Sequence, residues 1–193
     1  MRIPIAVLAS GQGSNLQALI DWAAGEDASG RIALVISNRA GAGALEKARL
    51  AGIESAVIDP ARGAQPLLEL LRSRGIGLVV LAGYLKKVPA EVVAAFRGRI
   101  LNIHPALLPD FGGPGMYGRR VHEAVLASGT GVTGATVHIV DEHYDRGPIV
   151  ARWPVPVCPG DTAETLAARV LETEHRLLPA VVSAFCHGEL CGR

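Results

Sequence analysis

The chain has 193 residues, of which 49% are hydrophobic and 19% charged, so it can bury one sizeable core and is too apolar to be disordered. Its formal net charge of +1, from 19 basic and 18 acidic residues, gives no reason to expect a nucleic-acid partner. Cys158, Cys186 and Cys191 are odd in number and form no CxxC motif. They suggest neither a disulfide framework nor a zinc knuckle, and a reduced cytoplasm fits best.

Short apolar runs alternate with helical patterns in the first half of the chain. Strands are predicted at residues 5–9, 33–36, 55–58, 78–82 and 100–104, and helices at residues 15–24, 44–51 and 65–74, with a fourth helix opened by Pro89. Gly52 and Gly75 are expected to end the second and third helices. The first apolar run is too short to span a membrane and lacks a signal-peptide cleavage pattern. This alternation predicts an α/β fold with a doubly wound, mostly parallel sheet.

The second half of the chain has a different pattern. Two strand-like runs, at residues 132–140 and 149–157, have no helix between them, which predicts an antiparallel edge of the sheet. The segment from Asp161 to Glu164 is interpreted as a capping box for a long closing helix, roughly residues 162–184. The glycine-rich segment at residues 110–118 is the best candidate for a mobile loop.

A glycine-rich turn, Gly11 to Asn15, joins the first strand to its helix. Glycines allow a tight turn and close approach to a ligand, and the amides at the start of a helix favour an anion. A dinucleotide fingerprint would need a small residue where Leu16 stands and an acid where Ser37 and Asn38 stand, so we expect a single phosphate rather than NAD. The alternative is an ordinary strand–helix turn without a ligand.

Asn102 and His104 alternate with apolar residues on the fifth predicted strand, just before Pro105. Residues two apart on a strand point to the same side, and the carboxyl ends of parallel strands are where open α/β sheets bind ligands. An amide and an imidazole side by side can hold an oxyanion on an attacked carbonyl. The alternative is a buried polar pair that satisfies nearby backbone groups.

An acidic loop at residues 140–148 connects the two last predicted strands. Asp145 is the carboxylate in this loop that could orient His104 or accept a proton. The alternative is a solvated hairpin loop. His138, Asp141 and His143 could suggest a metal site, but their spacing matches no strong ligand motif. The remaining histidines, which include His122 and His187, are interpreted as surface or packing residues.

Six segments together resemble the folate-dependent formyltransferases, nearly end to end and in order. They are residues 10–16, 81–86, 101–109, 134–138, 145–148 and 173–175. The resemblance implies a Rossmann-like formyltransferase fold in one domain, 1–193. Its N-terminal half, 1–100, would bind the phosphorylated substrate, and its C-terminal half, 101–193, would bind folate and carry catalysis. It also implies transfer of a formyl group from 10-formyltetrahydrofolate, without a metal, to the amine of a small phosphorylated substrate.

The same resemblance implies roles for individual residues. The catalytic group is Asn102, His104 and Asp145; the substrate residues are Gly13, Ser14, Asn15 and Glu174; and the folate pocket contains Leu85, Lys86, Val88, Val140 and Asp141. His138 would support the site, and Arg62 is the candidate for a further basic residue on the phosphate. In this scheme Asn102 and a protonated His104 hold the oxyanion, and Asp145 keeps the imidazole charged. Small-molecule substrates are the expected partners, with no nucleic acid and no membrane, in a monomer or homodimer.

Three other readings of the sequence stay open. The first is a relative that formylates methionyl-tRNA or a nucleotide sugar. The enzyme that acts on tRNA would be expected to carry an extra C-terminal domain and a basic surface. A formyltetrahydrofolate hydrolase shares this core but usually has an added N-terminal domain, whereas the first apolar run here already starts at residue 3. A non-catalytic phosphate-binding module would be expected to lack one of Asn102, His104 and Asp145.

Overall fold

Seven strands and six α-helices are present in a computed structural model that describes residues 2–190. The strands are β1 Ile3–Leu8, β2 Gly30–Ser37, β3 Ser55–Val57, β4 Leu78–Leu81, β5 Ile100–His104, β6 Val132–Ile139 and β7 Ile149–Pro156. The helices are α1 Ser14–Ala23, α2 Gly43–Leu50, α3 Gln65–Ser73, α4 Ala90–Ala95, α5 Arg119–Ser128 and α6 Ala163–Cys186. Cys191 lies outside the described residues, and no helix within residues 2–190 is long and apolar enough to cross a membrane.

The strands form one sheet in the order β3-β2-β1-β4-β5-β6-β7. Strands β1 to β5 pair in parallel, whereas β6 is antiparallel to β5 and β7 is antiparallel to β6. The prediction of a mostly parallel sheet with an antiparallel edge is therefore confirmed. Proline is tolerated on the edge strand, and β7 contains Pro154 and Pro156 there.

Helices cover both faces of the sheet, and successive residues of a strand enter different cores. On β1, Ile5 and Val7 pack with α1 and α6, whereas Ala6 and Leu8 pack with α3 and α4. This alternation follows from the two-residue period of a strand, and it explains why the central strands are apolar throughout. On β5, Leu101 and Ile103 enter the first of these cores. Asn102 and His104 therefore share the opposite side of that strand.

Gly52, Gly75 and Pro89 lie at helix ends, as the sequence predicted. Gly52 and Gly75 have φ angles of 67° and 59°, in the left-handed region that glycine adopts without cost, and each follows its helix closely. Pro89 is the N-cap of α4. The capping box of α6 differs from the prediction, because its reciprocal pair is Thr162 and Thr165.

The predicted box placed Asp161 at the cap position and Glu164 three residues later, and this assignment is wrong. Asp161 instead accepts a hydrogen bond from the N–H of Cys158 at 2.7 Å and pairs with the guanidinium of Arg169 at 2.7 Å. Two competing partners therefore hold the carboxylate outside the helix. The hydroxyl of Thr162 takes its place at the N-cap.

Helix α5 was missed by the sequence analysis. Its signals are Val121 and Val125, four residues apart and both buried, and Gly129 with a φ of 69° as the C-terminal cap. Arg119 and Arg120 at its start, after a glycine-rich loop, masked the apolar period. The predicted mobility of residues 110–118 stays a prediction.

Candidate functional site

A cavity of about 650 Å³ opens at the carboxyl ends of β1, β4 and β5 and is bordered by α6. Every residue that the sequence analysis placed at a substrate, folate or catalytic position lines it: Gly13, Ser14, Asn15, Leu85, Lys86, Val88, Asn102, His104, Val140, Asp141, Asp145 and Glu174. His138 lines it as well. Arg62 lies in a short 3₁₀ turn, Pro60–Arg62, and is not among the cavity-lining residues, so the structure does not bring it to the glycine-rich turn at Gly11 to Asn15.

Gly13 begins α1 as its N-cap, with a φ of 73°. A Cβ atom at this position would lie 2.8 Å from the Cα atom of Ala44 on α2, so both the backbone conformation and the packing require glycine. Within the described residues, no side-chain hydrogen bond caps α1. The N–H groups of its first turn are therefore available to an anion in the cavity.

A hydrogen bond between Asn15 and Glu174 connects the glycine-rich turn to α6. The Nδ2 atom of Asn15 donates to Oε2 of Glu174 at 2.6 Å, and both residues are buried. Burial raises the pKa of Glu174 to about 7, although the hydrogen bond from Asn15 opposes this shift. The Oδ1 atom of Asn15 is buried and has no hydrogen-bond partner among the described residues.

Asn102, His104, His138 and Asp145 form a connected cluster. Nδ2 of Asn102 lies 3.0 Å from Nε2 of His138 and 3.4 Å from Oδ1 of Asp145. Oδ2 of Asp145 lies 3.7 Å from Nδ1 of His104, and its Oδ1 lies 3.5 Å from Nε2 of His138. The carboxylate therefore stands at the centre of the group, at distances that are longer than tight ion pairs.

Two backbone carbonyls fix the imidazole tautomers, because a carbonyl can only accept. Nε2 of His104 lies 2.9 Å from the carbonyl oxygen of Phe111, and Nδ1 of His138 lies 3.0 Å from that of Ile139. These two nitrogens are therefore the protonated ones. Nε2 of His138 then accepts from Asn102, whose amide donates inward, and Nδ1 of His104 is the nitrogen left to gain or lose a proton.

Burial has the largest effect on His104, of which 3% is exposed. It lowers the pKa of the imidazole, and Asp145 and the carbonyl of Phe111 offset this only in part. Asp145 thus raises the pKa of His104 as expected, but desolvation outweighs the carboxylate at 3.7 Å, so the net shift is downward. Burial alone would raise the pKa of Asp145, but contacts with His138, His104 and Gly113 hold it below its usual value.

The residues predicted to contact folate form the other part of the cavity wall. Leu85 is half-exposed, and its N–H donates to Oγ of Ser10 at 2.9 Å. Val88 is buried against the core of α3 and α4. Asp141 accepts a hydrogen bond from the N–H of His143 at 2.7 Å, which shapes the loop after β6. The result is a wall with apolar and polar parts, as small-molecule sites usually have.

Several cavity residues were not recognised from the sequence. Gly113 lines the cavity and Phe111 is not among its lining residues, but both contact the cluster around Asp145 through backbone atoms, which leave no signal in side-chain chemistry. His122, interpreted as a surface or packing residue, is buried and lines the cavity, whereas His187 is exposed. No group of three or more potential metal-binding side chains is arranged as a metal site among the residues that the structure describes.

Comparison with known proteins points to one family. The family model described as formyl transferase matches residues 3–182. Phosphoribosylglycinamide formyltransferase from Arabidopsis thaliana is 46% identical over 192 residues, which are 96% of this chain and 66% of that protein. The Haemophilus influenzae protein of the same name is 40% identical over 96% of this chain and 88% of its own length. The chain thus spans less than two thirds of the Arabidopsis protein.

A solved structure with similar architecture is glycinamide ribonucleotide transformylase 1 from Symbiobacterium toebii. It superposes with a TM-score of 0.92 at 42% sequence identity, over 100% of this chain and 91% of that one. The similarity therefore extends through the sheet and the loops that form the cavity.

Proposed function

The chain belongs to the formyl transferase family, and on that premise we propose that it transfers the formyl group of 10-formyltetrahydrofolate to the amine of glycinamide ribonucleotide. The products would be N-formylglycinamide ribonucleotide and tetrahydrofolate, a step of de novo purine biosynthesis. This is the activity in the names of the Arabidopsis and Haemophilus relatives.

The observation that carries this proposal is that one cavity is lined by two kinds of site. An uncapped helix start at Gly13, suited to a phosphate, opens into the same 650 Å³ space as Asn102, His104 and Asp145. A phosphorylated amine held at the first group can present its nitrogen to a formyl carbon held beside the second. Holding two reactants in this way supplies a large part of the rate in a reaction without a covalent enzyme intermediate.

In the proposed first step, the neutral amine attacks the formyl carbon and a C–N bond forms. The carbonyl oxygen becomes an oxyanion, which accepts a hydrogen bond from the amide of Asn102. That N–H now points at Asp145 over 3.4 Å, a weak contact that the oxyanion can replace, while the bond to His138 at 3.0 Å holds the other N–H.

His104 handles the proton in this mechanism. Because burial lowers its pKa, the imidazole enters the reaction neutral, with Nδ1 unprotonated. The amine loses its proton to Nδ1, directly or through water, and the imidazolium then forms beside both the oxyanion and Asp145. When the bond to the folate nitrogen breaks, His104 returns the proton to that nitrogen.

The remaining cavity residues are assigned to binding. The amides of Gly13, Ser14 and Asn15 hold the phosphate, and Glu174 contacts the substrate beyond it. A folate pocket is assigned to Leu85, Lys86, Val88, Val140 and Asp141. We assign the N-terminal half, 1–100, mainly to the phosphorylated substrate and the C-terminal half, 101–193, to folate and catalysis within one domain.

The test is an assay with 10-formyltetrahydrofolate in which glycinamide ribonucleotide and water compete as acceptors. Tetrahydrofolate release that requires glycinamide ribonucleotide and matches formylated product one to one supports the proposal. Release at the same rate without the amine would identify a hydrolase instead. A cytoplasmic enzyme that acts as a monomer or homodimer completes the proposal.

A further inference from the structure

The turn at residues 111–113 contacts both His104 and Asp145 through backbone atoms. The carbonyl of Phe111 accepts from Nε2 of His104 at 2.9 Å, and the N–H of Gly113 donates to Oδ2 of Asp145 at 2.9 Å. The direct contact between His104 and Asp145 is longer, at 3.7 Å. Both side chains are therefore held more tightly by this turn than by each other.

We propose that the turn 111–113 is a positioning element of the catalytic site, which fixes His104 through Phe111 and Asp145 through Gly113. The inference rests on the proposed function where it concerns rate. It goes beyond that function because it gives a role to Phe111 and Gly113, which take part in no chemical step of the proposed mechanism. Phe111 and Gly113 are thus positioning residues for His104 and Asp145.

The backbone of the turn is unusual in the way this role requires. Phe111 has a φ of 55° and Gly113 a φ of 99°. A bulky residue enters the left-handed region only where its surroundings hold it there. The side chain of Phe111 packs against the core on the α1 and α6 side of the sheet. That packing anchors the turn and aims the carbonyl at His104.

Gly112, between the two contacts, leaves no room for a side chain. A Cβ atom there would lie 2.5 Å from Cδ2 of Leu108 and 3.2 Å from Cβ of Asp145. Leu108 is 1% exposed and cannot turn into solvent. Adding one methyl group must therefore separate the turn from the Leu108 side chain by about 1 Å, since ordinary carbon contacts are about 3.5–4.0 Å. It must also move the turn away from Asp145 by a few tenths of an ångström.

The two hydrogen bonds act in opposite directions on the pair. The carbonyl of Phe111 raises the pKa of His104, because it accepts from the imidazolium, and the N–H of Gly113 lowers the pKa of Asp145, because it donates to the carboxylate. The other titratable groups that interact with this pair are His138 on β6 and His122 on α5. A displaced turn should move both pKa values while those histidines stay in place.

The experiment compares Gly112→Ala with Gly131→Ala. Gly131 is a matched control, because a Cβ there meets nothing within 4 Å and its φ is not positive. We expect kcat of Gly112→Ala to fall about 10-fold, less than the roughly 10²-fold cost of a full 1 Å misplacement of a reacting group, while both KM values change less than about 3-fold. Thermal unfolding of both variants shows whether each is folded. A folded Gly112→Ala with normal kcat would overturn the inference.

A second measurement is independent of activity. Nitrogen-15 NMR of the wild-type imidazoles should show His104 as the Nε2–H tautomer. In Gly112→Ala the tautomers should mix, with a lower pKa for His104 and a higher one for Asp145. A wild-type Nδ1–H tautomer, or unchanged pKa values in a folded Gly112→Ala, would reject the positioning role. If wild type shows the expected tautomer but forms no formylated product, the proposed function fails and the positioning role stands.

Discussion

Asp145→Asn is the most informative single substitution, because it removes a charge and keeps the shape. Asparagine can still accept the N–H of Gly113 through its Oδ1 atom. What disappears is the negative charge 3.7 Å from Nδ1 of His104. In the proposed mechanism that charge stabilises the imidazolium, which forms only as the amine attacks. The variant should therefore bind both substrates and turn over slowly.

The size of the effect follows from the geometry. Two unit charges about 4 Å apart interact by about 4 kcal/mol at an effective dielectric constant of 20. His104 is buried and Asp145 is partly exposed, so this value is an upper bound for the pair. A loss of about 3–4 kcal/mol from the transition state corresponds to about 10²–10³ in rate.

The pH dependence has a fixed sign. The carboxylate raises the pKa of His104 against the effect of burial, so its removal lowers that pKa further. The limb of the rate profile that follows His104 should therefore move towards acid. Steady-state kinetics across pH, with thermal unfolding as a folding check, measures both effects. Glu142→Gln is the matched control, an exposed carboxylate in the same loop that does not line the cavity. A near-normal kcat with an unshifted profile in Asp145→Asn would refute this reasoning.

Three more substitutions probe other parts of the site. Asn102→Ala should lower kcat about 10²–10³-fold and leave the KM for folate nearly unchanged, because an oxyanion donor acts in the transition state; a raised KM with normal kcat would contradict that role. Gly13→Ala should raise the KM for the phosphorylated substrate more than that for folate, since its Cβ meets Ala44 at 2.8 Å and shifts the turn; equal increases in a folded variant would argue against a phosphate there. The stability of Glu174→Gln relative to wild type should increase as pH rises from 5 to 8. The reason is that the buried carboxyl of wild type, with a pKa of about 7, favours folding while protonated and destabilises the fold when ionised. Calorimetry at both pH values should show no such trend if Glu174 ionises normally.

The parts of the site that the sequence predicts are those set by periodicity. Asn102 and His104 share a side of β5 because they are two residues apart, and that side can be deduced without coordinates. Gly13 was recognisable because a glycine before a helix has few local alternatives. Asp145 was harder to place, since a charged loop is usually only solvated; it was chosen as the loop carboxylate that could orient His104, and the resemblance to a family added a catalytic role.

The parts that the sequence could not predict depend on backbone groups and on burial. The carbonyl of Phe111 and the N–H of Gly113 have the same chemistry in every residue, and only the left-handed turn directs them at the pair. The cap of α6 shows a similar limit. Asp161 and Thr162 are both good N-cap residues, and Arg169, eight residues after Asp161, decides between them.

The net pKa shift of His104 could not be predicted from the sequence for a related reason. A carboxylate neighbour is visible in the sequence, but the extent of burial is not, and burial has the larger effect. An imidazole already charged at rest would be stabilised by Asp145 before any reaction, which lowers the ground state along with the transition state. An imidazole that is neutral at rest and charged as the amine attacks receives that stabilisation only in the transition state. In the proposed mechanism, the same burial that lowers the pKa of His104 therefore directs the effect of Asp145 to the step where the bond forms.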